Sequence, residues 1–238
     1  MPGICEGARC ALALGDDALI LGHRLSEWCG HAPMLEEDMA LANIGLDLIG
    51  QVRLLYGYAG AASGLSEDQL AYFRDAPQFR NLLICELPNG DFARTMLRQY
   101  FFSAYAVPMW QAMTDARDLT LAAIAAKAVK ECAYHLRHSA EWVIRLGDGT
   151  PESHARIAAA LELLWPYTGE MFEANHGMAV DLAGWTAAVS DVLTEAGLQV
   201  PASNWMQSGG RQGRHSEHLG HLLAEMQFLQ RAYPGAEW

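Results

Sequence analysis

The chain has 238 residues, about half of them apolar, and carries a formal net charge of −12. That length suffices for a sizeable core, in one large domain or two small ones. So acidic a balance, with Lys127 and Lys130 as the only lysines, argues against a nucleic-acid backbone as partner, and no run of about 18 residues lacks a charge or a helix breaker, so no membrane span is expected.

In chain order the pattern is almost entirely helical. The most apolar run, 11–21, is interrupted by Gly15, Asp16 and Asp17. It has neither a cationic leader nor a small-residue cleavage site, so the chain reads as soluble and cytoplasmic. Leu14, Ala18, Leu21, Leu25 and Trp28 recur at helical spacing, and Gly30 follows as a stop. Pro33 is placed to open a second helix, with Glu36, Glu37 and Asp38 near its positive end, running through Leu41, Leu48, Val52 and Leu55 to about 60–64. Ser66 starts a short helix that Pro77 interrupts. Asp91 is a plausible cap for a helix through Phe92, Met96, Tyr100 and Phe101, which Pro108 should kink or end. The clearest helix spans about 119–146, with Leu121, Ala125, Ala128, Cys132, His135, Ser139 and Trp142 on its seam. Thr150 and Pro151 open the next, which Pro166 should bend; further helices are expected near 182–196 and 215–231, with a loop over 200–213. Long helices, short turns, no strand-like alternation and no repeat predict an all-α bundle, a single domain over 1–238.

Bundles of this kind build dinuclear metal sites from a Glu on each of two helices and a Glu-x-x-His on each of two others. Only fragments of that set are present: Glu27 at the end of the first helix, Asp47 in the second and His135 on the long one. Three positions before Asp47 stands Ile44, and three before His135 stands Cys132. Neither supplies a bridging carboxylate. Glu131, four before His135, shares its face. A mononuclear site of Glu27, Asp47, Glu131 and His135 is therefore the alternative to a hydrogen-bonded core pair.

Glu173 and His176 form the one literal Glu-x-x-His, at a helix end where a histidine also suits the dipole. His215, His218 and His221 recur every third residue; two of them could chelate a metal, but a solvated or partner-facing stripe is the simpler reading. The segment Gly209-Gly210-Arg211-Gln212-Gly213 follows no strand and reads as a surface loop, with Arg211 and Arg214 available to an anionic ligand or partner. Five cysteines without a CxxC pair read as free thiols, several of them buried.

Long segments then carry a resemblance: LGDDALILGHRLSEWCGHAP, MALANIGLDLIGQ, RDAPQFRNLLICELPNGDFA, AVKECAYHLRHSAEW and GRHSEHLGHLLAEMQFLQRAYPGAEW. Over nearly its whole length the chain resembles the C-type component family of the ring-1,2-phenylacetyl-CoA epoxidase. That resemblance implies a ferritin-like bundle paired with a homologous catalytic component of the A type, which carries the diiron centre and binds the coenzyme A thioester. A separate flavin and iron–sulfur reductase supplies electrons. It implies further that this chain is a duplicated copy that lost its metal, with Glu27, Ile44, Asp47, Cys132 and His135 at the positions of the old ligands and no carboxylate near Phe102 and Ser103. The expected function is that of a non-catalytic structural subunit without a cofactor, able to self-associate when alone. Cys132, His135, Asp47 and Glu27 are expected to form a compact polar cluster in place of the metal.

Overall fold

The computed structural model describes residues 5–173 and 180–236. In chain order the helices are α1 (Glu6–Ser26), α2 (Leu35–Ser63), the short α3 (Glu67–Tyr72) and α4 (Leu83–Glu86), then α5 (Phe92–Met113), α6 (Leu119–Gly147), α7 (Pro151–Leu164), α8 (Leu182–Glu195) and α9 (Glu217–Ala232). No strand occurs among the described residues. Helices α1 and α2 form one antiparallel hairpin and α5 and α6 another, and α6 also lies along α2. The four long helices thus make the bundle, as the periodicity predicts.

Helix α1 begins at Glu6, earlier than its leucine spacing suggests, because Ala8, Cys10 and Ala11 are also buried. From Ala11 to Gly22 every residue is buried, so the helix is enclosed on all sides rather than along one stripe. At Gly15 a β-carbon would lie 2.6 Å from the Tyr56 ring, so the crossing with α2 needs glycine there. Helix α2 carries Glu36, Glu37 and Asp38 in its first turn and ends on Gly64 at φ +74. Its inner face is Leu41, Ile44, Leu48, Val52 and Leu55.

Helix α5 is capped by Asp91, whose carboxylate accepts from the Arg94 amide at 2.9 Å. Of the two outcomes expected at Pro108, an end to the helix does not occur; the helix continues to Met113. Proline removes only the bond to the Ala104 carbonyl, and the buried Tyr105, Ala106, Met109 and Trp110 hold both sides of the gap in place. Asp118 caps α6 through the Thr120 and Leu121 amides, at 2.9 and 3.0 Å. The predicted α6 seam is buried from Leu121 through Ser139, while Trp142 is half-buried, edge-on to Phe92 with ring centroids 5.0 Å apart. Helix α7 is capped by Thr150 with Pro151 in its first turn, and it gives way to a 3-10 turn at Trp165–Tyr167, where Pro166 sits.

The stretch 200–213 is not a surface loop throughout. The Gly209 and Gly210 amides donate to Glu170 Oε1 at 3.0 and 2.6 Å, and Arg211 is buried. Arg211 grips Asp17 with both terminal nitrogens, at 3.0 and 2.6 Å, and donates to the Ala13 and Arg80 carbonyls. A carboxylate in the middle of an enclosed helix requires such a partner, because an unpaired buried charge is strongly destabilising. Arg211 is therefore not available to a ligand; Arg214 remains exposed.

Candidate functional site

The residues singled out by spacing lie along the α2–α6 contact. Asp47 Oδ2 on α2 and His135 Nε2 on α6 are 3.0 Å apart. His135 is buried, and burial pulls its imidazole below the usual value against the opposing pull of Asp47. One turn along, Gln51 donates to Glu131 Oε2 at 3.0 Å and reaches the Cys132 sulfur at 3.8 Å, while Lys127 holds the other oxygen of Glu131 at 3.1 Å. Burial pushes the Cys132 thiol up to about 12, so it stays protonated at neutral pH. In the other direction His138 meets Glu37 at 2.9 Å and stacks on Tyr134, with ring centroids 5.9 Å apart. Ile44 is fully buried in the apolar core. On α5, Ser103 is buried and accepts from the Gln99 amide at 3.0 Å.

Asp47 and His135 are thus brought together, while Cys132, three residues before His135 on α6, meets Gln51 instead. Glu27 does not join them: its carboxylate is engaged by Arg24 at 2.7 Å and Asn89 at 2.9 Å, beside the 88–91 turn. Among the described residues no three His, Cys, Asp or Glu side chains stand close enough to hold a metal ion. The donor chemistry agrees, since a dinuclear site requires carboxylates that bridge, and the side chains at positions 44 and 132 are a hydrocarbon and a protonated thiol. The residues present do not fit a diiron centre.

The histidine stripe is also broken. His215 precedes α9 and turns inward, its ring nitrogens 2.8 Å from Glu86 Oε2 and 3.1 Å from the Phe79 carbonyl. His218 is half-buried and His221 exposed. His176 lies outside the described residues.

A second polar network escaped the spacing arguments. Asp16 accepts from Arg74 at 2.5 and 3.0 Å and from the Tyr56 hydroxyl at 2.6 Å, all buried. Glu86 gathers Asn81, His215 and the Ser216 amide, and Glu170 adds the Leu83 amide to those of 209 and 210. Arg98 is enclosed, with the Leu87 carbonyl and Asn89 Oδ1 as its acceptors among the described residues, and burial pulls its guanidinium down to about 9. The available signal was the Asp16–Asp17 pair in the middle of an apolar helix, which spacing treats only as an interruption. The network ties α1 to the segments 74–90 and 209–216.

An all-α bundle with a carboxylate–histidine seam between two long helices, flanked by the buried Ile44 and Cys132, defines the class. The chain belongs to the family described as phenylacetic acid catabolic protein, whose sequence pattern matches residues 6–238. It is 50% identical over 240 aligned positions, covering 95% of this chain and 97% of the relative, to the protein of Escherichia coli (strain K12) named as the C-type subunit of 1,2-phenylacetyl-CoA epoxidase. Among the described residues no helix is long and apolar enough to cross a membrane.

Proposed function

We propose that this chain is the C-type component of a phenylacetyl-CoA epoxidase in aerobic phenylacetate degradation. It is a non-catalytic structural subunit whose ferritin-like bundle, a single domain in the cytoplasm, stabilises the homologous diiron catalytic component, of the A type, served by a reductase. The observation that carries this reading is the state of the ligand positions. Ile44 is locked in the core, Cys132 is held as a thiol by burial, and Asp47 and His135 satisfy each other instead of presenting lone pairs to an ion. The near full-length likeness to a named epoxidase component supplies the setting.

The test is iron analysis of the chain purified alone and after incubation with ferrous iron. Well below one iron per chain is expected, unchanged in His135→Ala. Stoichiometric iron that disappears in His135→Ala would instead support a mononuclear site and end the structural reading. In parallel, adding the chain should raise the thermal midpoint of the catalytic partner; no shift would remove the stabilising role.

A further inference from the structure

Helix α2 is apolar on the outside as well as the inside. Its exposed line runs Leu35, Met39, Leu46 and Leu54, with the half-buried Ala42, Ile49 and Gly50 between them. Leu35, Leu46 and Met39 are 72, 69 and 58% exposed. From Asp38 to Arg53 the polar side chains are Asn43, Asp47, which is turned onto His135, and the buried Gln51. A helix that is apolar all round belongs in an interior. Contiguous apolar surface of this length, edged by polar residues, marks an association site.

The edge of the stripe has its own character. Lys127, Lys130, Tyr134 and Arg137 follow one another on α6 at steps of three and four, so they share a face. Lys127 stands against Gly50 of α2, its nitrogen 3.6 Å from where a β-carbon would lie, and the Arg137 guanidinium sits 5.7 Å from the centre of the half-exposed Tyr134 ring. Both lysines of a chain with net charge −12 therefore border this stripe. Lys130 and Arg137 take part in no ion pair of the described residues. An apolar centre with Tyr and Arg at its border matches the anatomy of protein interfaces. The stripe from Leu35 to Leu54 spans about 30 Å, and a strip that long and two helices wide, roughly 20 Å, is on the order of 600 Å², the lower end of one side of a stable complex.

We infer that the outer face of α2, with the basic border of α6, is the surface on which the catalytic partner docks. The matching surface on that partner is an apolar helical ridge flanked by carboxylates. This rests on the reading of the chain as one component of a larger enzyme and adds to it a location and a charge pattern. A second copy of the chain fits less well, since a two-fold pairing sets the same basic border on both sides. The exposed Phe228, Leu229 and Tyr233 on α9 form a competing apolar patch, but Arg231 in their midst is tied to the Tyr72 and Arg74 carbonyls and to Asp75.

The test is calorimetric titration of the full chain with the purified catalytic partner from the same organism, alongside sedimentation velocity of the chain alone. Leu46→Glu and Met39→Glu, at exposed positions that leave the fold intact by circular dichroism, should weaken binding about 100-fold. Phe228→Glu should stay within about threefold of the unaltered chain. Lys130→Glu with Arg137→Glu should slow association about tenfold and flatten its dependence on salt. Full affinity in both α2 variants overturns the inference while leaving the assembly reading intact. A homodimer that Leu46→Glu makes monomeric, with unchanged affinity for the catalytic partner, assigns the face to self-association and also overturns it. If the unaltered chain does not bind the catalytic partner at all, the assembly reading fails first.

Discussion

Cys132 shows what a thiol requires of a bundle interior. A carboxylate at this position would need a cation or several donors, whereas a thiol raised to about 12 needs only space and the weak approach of Gln51. Chemically the five cysteines therefore split into two groups. Cys5 and Cys29 are exposed, and Cys10, Cys85 and Cys132 are buried. At pH 8 a disulfide reagent should label the two exposed thiols at once and the remaining three only on denaturation; rapid native labelling at Cys132 would contradict the enclosed seam. His215 offers a second check at this scale. Burial, the largest influence, pulls its imidazole down, but the hydrogen bond and charge of Glu86 and the Phe79 carbonyl outweigh it, so its pKa is raised above 6.5. Its contribution is thus complete below the unfolded value and is lost as pH rises through the folded one. Urea unfolding at pH 6 and pH 9 should show His215→Gln to be more destabilising at the lower pH, and an equal effect at both would refute the charged pair. The Asp47–His135 contact was legible in the sequence because both residues sit on long, strongly periodic helices. The position of Glu27 was not, because its partners are Arg24, one turn back on its own helix, and Asn89 in a distant turn whose approach no periodicity records.

At the scale of elements, the long helices were readable for a plain reason: caps and apolar spacing act locally, and Asp91, Asp118 and Thr150 each hold the amides next to them. The 209–213 segment misled because its outcome depends on what packs around it. Glycines and an arginine without a strand look like a surface loop until a buried carboxylate on another element claims them. Asp17 is that carboxylate, and its two contacts with Arg211 fasten the stretch to α1. Arg211→Ala should therefore lower unfolding free energy by about 3–5 kcal/mol, the usual effect of leaving one member of a buried pair alone. Arg214→Ala, three residues on and exposed, should change it by under about 0.5 kcal/mol. Denaturant titration of both variants decides this. Similar small effects would mean that Asp17 is satisfied by the Leu82 amide without its cation.

At the scale of the molecule, the bundle carries two kinds of polar interior with different reach along the chain. The α2–α6 seam is a row of carboxylate–histidine and amide contacts where the resemblance places metal ligands, and each pair there is local to two adjacent helices. The network around Asp16, Asp17, Glu86 and Glu170 instead joins segments from opposite ends of the chain. The fold class followed from pattern alone. The absence of carboxylates at positions 44 and 132 was also visible, since Ile44 and Cys132 are readable identities in readable helices. Neither the second network nor the outer face of α2 could be found from spacing, because one depends on tertiary closure and the other on knowing which apolar residues remain uncovered. The Asp17–Arg211 tie has one more consequence. Its members stand 194 residues apart, so while the protein is being made, the first helix leaves the ribosome with a carboxylate whose cation has not yet been translated. The N-terminal hairpin must wait in an incomplete, sticky state until the 209–216 segment has been made, a long loop that slows closure and extends its exposure to chaperones.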